Sequence, residues 1–382
     1  MILKFFRLFK ILLTGNLQFF PPLKKKILLY DKTKVADLRY LLNVNSINIL
    51  HIRGEKLNAL ILLKCLIKFK FNFIDYCNEY VNYVNPKIIL SFLDNYPQFY
   101  LLNKKINQKK FLIQNAFRTG DDSPLGNVKT KIYKQNYKSK VDHVFSFNKN
   151  VSKKYVSLLG CKANEIGSFR SNLIKIKKKK SYDYLYVSSF RENAEEMKVS
   201  NYTNYKKFLQ PEAKLIRFIF NYLKIKRKKL FILGSHKSDY QKEKKYFNEI
   251  LKTSEWTFLK PRKFSHTYSY EQTDKAKLVI GIDSTLLFES LSRNSKIACF
   301  NVRPSDPFLR KYRYFGWPKR FKNQGPFWTN KLTQKSVNHI IKKIASTKEL
   351  KWKKIKNKYS DDFVVFNKNN HKFSEIFRKA LR

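Results

Sequence analysis

Asp283, Ser284 and Thr285 close the apolar run Leu278, Val279, Ile280 and Ile282, and open a segment whose Leu287, Phe288 and Leu291 share one helical face. Side chains of these types favour the N-cap of a helix, where their oxygens accept from otherwise free backbone N–H groups. Such an elbow offers free N–H groups and the positive end of a helix dipole, which is the chemistry that holds a phosphate. Glu289 follows one turn later on the side of Thr285, where a carboxylate can accept hydrogen bonds from ribose hydroxyls. An ordinary capped strand-to-helix connection fits the same local pattern equally well.

Other apolar runs end in comparable groups. Asp94 and Asn95 follow KIILSFL; Gln114 and Asn115 follow KKFLI, with Arg118 and Asp122 beyond; Ser168, Arg170 and Asn172 follow a strand near Glu165. Further on, Ser188, Ser189 and Arg191 follow DYLYV, and Gly234 and Ser235 follow KKLFI. Each group taken singly is also good turn chemistry. Repeated at six strand ends, they exceed what turns alone require. His236, next to Ser235, and His266 are of a type that stabilises charge on a phosphate, and a surface loop is the alternative for both.

The elements that must position these groups alternate. Short β-rich runs at 27–30, 47–52, 87–94, 109–115 and 142–147 are separated by helical stretches such as 56–69 and 150–159, the latter stopped by Gly160. The alternation resumes at 183–190 and continues through 229–234, 240–251 and 256–259 to the 277–300 unit, with a last helix pair near 333–344 and 371–381. The expected fold class is α/β: two doubly wound Rossmann-like domains facing across a cleft, with the strand ends gathered at that cleft. The boundaries read as a basic amphipathic segment 1–23, a first domain 24–178, a second domain 179–350 and a helical tail 351–382. The lysine run Lys175–Lys180 is the expected linker.

With 80 Lys and Arg against 28 Asp and Glu, the chain carries a formal charge of +52. That balance raises nucleic-acid binding. However, Lys, Asn, Ile, Phe and Tyr are abundant together while Gly (10) and Pro (11) are scarce, the pattern of AT-rich coding, and the lysines are scattered instead of striped. No specific nucleic-acid partner is expected; anionic lipid is the other partner such a surface suits. Cys65, Cys77, Cys161 and Cys299 have no paired metal spacing, so no metal is expected, and a reduced cytoplasmic location is. No run approaches the length of a membrane span. Lys4, Arg7 and Lys10 among the apolar residues of MILKFFRLFKILLT suit an interfacial anchor on an anionic membrane, or equally a first helix packed on its own domain. Phe315 to Pro318 and Gln324 to Trp328 form an aromatic and Gly cluster that fits core packing or a cleft-lining loop.

The segments ILSFLDN, FLIQNAFR, FSFNKNVSKKYVSLLGC, GSFRSN, LYVSSFRE, GIDSTLLFESLSRNSKIACFNVR and QGPFWTN, in that order, resemble the surface carbohydrate biosynthesis proteins, glycosyltransferases of two-lobed GT-B type. The resemblance runs over residues 24–345. It implies transfer of a sugar from a nucleotide-activated donor, such as a CMP-linked acidic sugar, to a bacterial surface glycan or glycolipid of lipopolysaccharide or capsule type. It implies donor phosphate at Ser284 and Thr285, ribose or sugar at Glu289, and further donor contacts at Ser188, Arg191, Gly234 and Ser235, with acceptor groups in the first lobe. Asn294 and Ala116 stand where similar proteins carry Gly; Asn tolerates the left-handed turn that position needs. An inverting transfer of this kind needs a general base near the acceptor hydroxyl and positive charge near the leaving phosphate, with no obligatory metal or cofactor. Asp94 is the base candidate, Asp122 the second, with a turn-capping role the alternative for Asp94. A nucleotide-sugar epimerase of the same architecture, or a basic RNA- or membrane-binding protein, are the competing functions.

Overall fold

The computed structural model describes residues 16–32, 34–53, 55–118, 141–177, 179–192, 205–235, 239–260, 267–302 and 315–382. Asp122, His236, His266 and the segment Met1 to Thr14 lie outside these described residues.

In chain order the first part supplies β1 (Asn16–Gln18), β2 (Ile27–Tyr30), α1 (Val35–Leu38), β3 (Ile47–Leu50), β4 (Lys56–Asn58), α2 (Ala59–Ile67), α3 (Phe73–Val84), β5 (Ile88–Ser91), α4 (Pro97–Leu101), β6 (Lys109–Ile113), β7 (His143–Ser146), α5 (Lys149–Leu159), β8 (Lys162–Glu165) and α6 (Phe169–Leu173). The remainder supplies β9 (Tyr182–Val187), α7 (Tyr205–Ile225), β10 (Leu230–Leu233), α8 (Tyr240–Leu251), β11 (Trp256–Leu259), α9 (Tyr268–Lys275), β12 (Ala276–Gly281), α10 (Thr285–Ser292), β13 (Lys296–Phe300), β14 (Trp328–Thr329), α11 (Gln334–Ser346), α12 (Glu349–Phe363) and α13 (His371–Leu381). They form two compact units: unit 1 is Met1–Asn115, Asp121–Leu173 and Asn367–Arg382, and unit 2 is Ala116–Gly120 and Ile174–Phe366.

Unit 1 is built on a parallel sheet ordered β3-β2-β5-β6-β7-β8. Its inner strands are almost wholly buried, as strands covered on both faces are. The order reverses at β2, so the ends of β2 and β5 flank the topological switch point. Gly160 ends α5 at φ +61, the left-handed stop its sequence predicts. The chain returns at its end: Phe373 and Phe377 of α13 are buried and pack edge-on against Phe145, Phe169 and Phe111. The tail expected at 351–382 therefore divides, α12 falling in unit 2 and α13 in unit 1.

Unit 1 departs from the sequence reading at 56–58. These residues are expected in a helix but form β4, a parallel partner of β1. Asn58 explains the change, because its side chain accepts from the Ile61 N–H and so starts the helix at Ala59. At the other end of α2 the Lys70 N–H reaches the Cys65 carbonyl and the Phe69 N–H the Leu66 carbonyl. That closure puts Phe69 at φ +52, a left-handed position usually given to Gly and costing a bulky residue about 1 kcal/mol.

In unit 2 the sheet order is β11-β10-β9-β12-β13-β14, again parallel, with its switch point between β9 and β12. Asn294 follows α10 at φ +71, the left-handed turn expected of it. The aromatic cluster is core: Phe315, Trp317, Phe327 and Trp328 are buried, and Phe288, Phe321 and Phe363 stack about them. Gly316 is required there, since at φ +80 a Cβ would sit 1.8 Å from the Phe321 ring.

The lysine run expected as a linker is fastened to unit 2. Arg293 and Asp274 form a fully buried pair, with Nε to Oδ1 at 3.0 Å and Nη2 to Oδ2 at 2.5 Å. Arg293 also donates to the Ile174 carbonyl at 2.9 Å, and Asp274 accepts from the Lys177 N–H at 2.9 Å.

Candidate functional site

The carboxyl edge of the unit 2 sheet gathers most of the expected donor-side residues. Strands β9, β10 and β12 are adjacent and in register, with Val187 opposite Leu233 and Ile280 opposite Tyr186. Ser188, Gly234 and the Asp283–Thr285 elbow therefore leave neighbouring strand ends. Arg191 Nη1 donates to Ser235 Oγ at 2.9 Å, tying the loop after β9 to the loop after β10. Ser188 Oγ accepts from the Phe190 N–H at 3.1 Å.

Two glutamates that sequence reasoning did not single out support these loops from beneath. Glu212 of α7 accepts from the Ser189 N–H and the Tyr186 hydroxyl, at 3.0 and 2.8 Å. Glu243 of α8 receives the Ser235 N–H on both oxygens, at 2.9 and 3.0 Å. Both are fully buried. Charge-assisted bonds of this sort, each worth about 1.5–3 kcal/mol, fix the loops' shape. For Glu243 the signal was an acidic residue in the first turn of a helix that follows a strand, which is also what a helix dipole favours; Glu212 lies two turns into α7 and carried no such signal.

At the elbow, Ser284 has the extended geometry of an N-cap, φ −62 and ψ 135, with no side-chain cap bond. Asp283, Ser284 and Thr285 are half-buried. Thr285 Oγ1 accepts from the Phe117 N–H at 3.1 Å, and the Phe117 ring stacks on Phe288 at 4.2 Å. Arg118, half-buried, belongs to that same short stretch of unit 2. Glu289 is buried, and its Oε1 accepts from the Tyr270 hydroxyl at 3.0 Å. Cys299 donates to the Ile282 carbonyl, and burial, with the Asp283 charge adding, pushes its thiol well above the usual range.

In unit 1 the expected residues are taken up largely by partners on neighbouring elements of the same unit. Asp94 is 1% exposed; its Oδ2 accepts from the Tyr155 hydroxyl at 3.1 Å, its Oδ1 from the Asn115 N–H at 3.2 Å, and its carbonyl from Tyr100. Asn95 beside it is exposed. Gln114 is buried and accepts from the Phe147 N–H at 2.8 Å, joining the ends of β6 and β7. Ser168 accepts from the Ser171 N–H, and Arg170 grips both oxygens of Asp37 at 2.8 and 2.9 Å. Asn172 donates to Asn370 and accepts from the Asn367 N–H, fastening the returning C-terminal segment. Sequence reasoning missed Asp31, which leaves β2 at the switch point with φ +81 and accepts from Arg53 at 2.8 Å. Its position just after an apolar strand was the available signal.

Among the described residues no group of three or more His, Cys, Asp or Glu could hold a metal ion, and no helix is long and apolar enough to cross a membrane.

The sequence profile of a family described as "putative O-antigen biosynthesis protein" matches residues 111–381, from β6 through α13. The chain belongs to this family. No curated protein matches it. Among solved structures, this family member resembles the Methanocaldococcus jannaschii UDP-GlcNAc 2-epimerase in complex with UDP-GlcNAc and UDP, at 11% identity and a TM-score of 0.52 over 92% of this chain and 99% of that one. It also resembles the wall teichoic acid polymerase TagF, at 13% identity and 0.52 over 94% and 90%, and S. aureus MnaA with UDP, at 12% and 0.51 over 93% and 95%. The fold is of GT-B type. Membership in a surface-polysaccharide family together with this fold supports a glycosyltransferase-like role in an enzyme acting on sugars.

Proposed function

We propose that this protein is a GT-B glycosyltransferase that moves a sugar from a nucleotide-activated donor to a growing surface-polysaccharide acceptor, at the cytoplasmic face of a membrane. The observation that carries the reading is the division of labour at the unit 2 switch point. The side chains at three adjacent strand ends are hydroxyls, the Asp283 carboxylate and the Arg191 guanidinium, with the N-terminus of α10 beside them, whereas Glu212, Glu243 and Glu289 turn to backbone or tyrosine partners. The α10 N-terminus and the guanidinium suit an anion, and the three glutamates, held by those partners, are not placed for the proton abstraction from a sugar carbon that an epimerase needs. Donor phosphates lie at Ser284, Thr285 and Arg191, where a helix end and a guanidinium replace a metal as the leaving group departs. Glu289, turned to Tyr270, reads the ribose through that pair. Asp94 is the acceptor-side base, held by Tyr155 and Asn115; it is reached once the Asn115 backbone moves off it.

The test is a thermal-shift screen against CMP, CDP, UDP and GDP. A ligand present at one hundred times its Kd stabilises the folded state by about 2.7 kcal/mol. One nucleotide should raise the melting temperature clearly, and a response to CMP alone assigns an acidic-sugar donor. No response to any nucleotide overturns the reading. Incubation with the donor sugar alone separates the rival, because epimerisation without acceptor identifies an epimerase.

A further inference from the structure

Unit 1 exposes large apolar side chains that its own core leaves uncovered. On α2, Leu63, Leu66 and Ile67 fall at helical spacing on one face, and Phe69 and Phe71 continue beyond its end. Ile67 is 68% exposed and Phe69 82%. Phe20, 88% exposed, adjoins the start of the same helix, because its carbonyl accepts from the capping Asn58 side chain at 2.7 Å. Cations rim this patch. The Lys24 and Lys64 ammonium groups lie 5.6 and 4.5 Å from the Tyr83 ring, and Lys68 and Lys70 both reach Glu79 from the helix's C-terminal side.

Phe69 carries the exposed apolar surface past the end of α2 at φ +52. The turn after α2 needs a left-handed residue, and Gly fits there without strain. The chain spends that position on an exposed phenyl ring instead.

We infer that this face of unit 1 docks on an anionic lipid bilayer, with Phe20, Ile67 and Phe69 entering the headgroup boundary and the lysines meeting lipid phosphates. Aromatic and aliphatic side chains ringed by lysine, on a chain of formal charge +52, match such a surface in both apolar and electrostatic character. The inference goes beyond the transfer reaction and uses none of its residues.

The experiment uses the full chain and vesicles of phosphatidylcholine with or without phosphatidylglycerol. The protein should sediment with the anionic vesicles, and salt should weaken that binding. The double variant Ile67→Gln/Phe69→Gly should bind at least tenfold more weakly while melting no lower than the native chain, since Gly relieves the left-handed position. A gain-of-signal variant, Phe69→Trp, checks insertion directly. All four native tryptophans, Trp256, Trp317, Trp328 and Trp352, are buried, so a new emission that shifts to the blue and is quenched by brominated acyl chains reports residue 69 alone. Vesicle binding unchanged in the double variant overturns the inference, including the case in which deleting residues 2–13 alone removes it. So does failure of the native chain to bind, or a dimer that the double variant converts to monomer without any lipid attachment. No donor or acceptor enters these measurements, so their failure is distinct from failure of the transferase reading.

Discussion

Units 1 and 2 both carry polar residues at the carboxyl ends of a six-stranded parallel sheet, but they use them differently. In unit 1 those residues are mostly satisfied by neighbouring elements: Asp94 by Tyr155, Gln114 by the Phe147 N–H, Arg170 by Asp37, Asn172 by Asn370. In unit 2 Glu212 and Glu243 are set beneath the loops, and hydroxyls, the Asp283 carboxylate and the Arg191 guanidinium stand at the strand ends. A polar residue after a strand thus has two fates, and which one it meets depends on whether a neighbouring element supplies the partner it would otherwise seek from a ligand. The left-handed, Arg53-bound Asp31 shows the first fate at a switch point, where fold geometry alone suggested the second.

The sharpest break in that comparison is functional. Asp94→Asn should lower turnover by about 10²–10⁴-fold while nucleotide binding is retained, the range expected for losing a general base. Arg191→Ala should do the opposite, weakening nucleotide binding by about 10–100-fold, in line with the loss of one charged hydrogen bond. Single-turnover rates and nucleotide titrations on both variants check this; full activity in Asp94→Asn removes the base assignment. Next in size is the buried pair of unit 2. Asp274→Ala leaves Arg293 uncompensated at 0% exposure and should cost about 3–5 kcal/mol, read from denaturant unfolding. A loss below about 1 kcal/mol would mean that the lysine run is not anchored there.

The smallest effect is on pH. Burial holds His51 and His143, both in unit 1, below the ordinary histidine value of 6.5, so each takes up its proton at a lower pH in the folded chain than in the unfolded one. The unfolded chain takes up those protons near pH 6.5. Their contribution is therefore complete above that pH and is lost as pH falls through the lowered folded values. Hydrogen exchange at pH 7, 6 and 5 should show unit 1 amides losing protection before those of unit 2. The reverse order would show that unit 2 carries the acid-sensitive group.

Much of this was legible in the sequence because it is local. The strand Ile27–Tyr30, the helix Tyr240–Leu251, the strand Trp256–Leu259, the stop at Gly160 and the left-handed Asn294 all follow from side-chain period, caps and turn chemistry within a few residues. What escaped depends on partners far along the chain. Lys56–Asn58 becomes a strand only because Asn16–Gln18 pairs with it. Glu212 and Glu243 become supports only because their helices fold back under the preceding loops. The side chains available to a ligand were legible as types and places, but their commitments were not. Asp94 and Asn172 read as open groups until the hydroxyl of Tyr155 and the amide of Asn370 were found on them.

The return of α13 to unit 1 has a consequence for biosynthesis. Phe373 and Phe377 complete a core whose other members, from Ile27 to Phe169, leave the ribosome more than two hundred residues earlier. The half of the protein made first can therefore close only once α13 has been made, and must wait with an unfinished aromatic wall while the second half forms. A stop codon just ahead of α13 would leave unit 2 whole and strand unit 1 without its keystone.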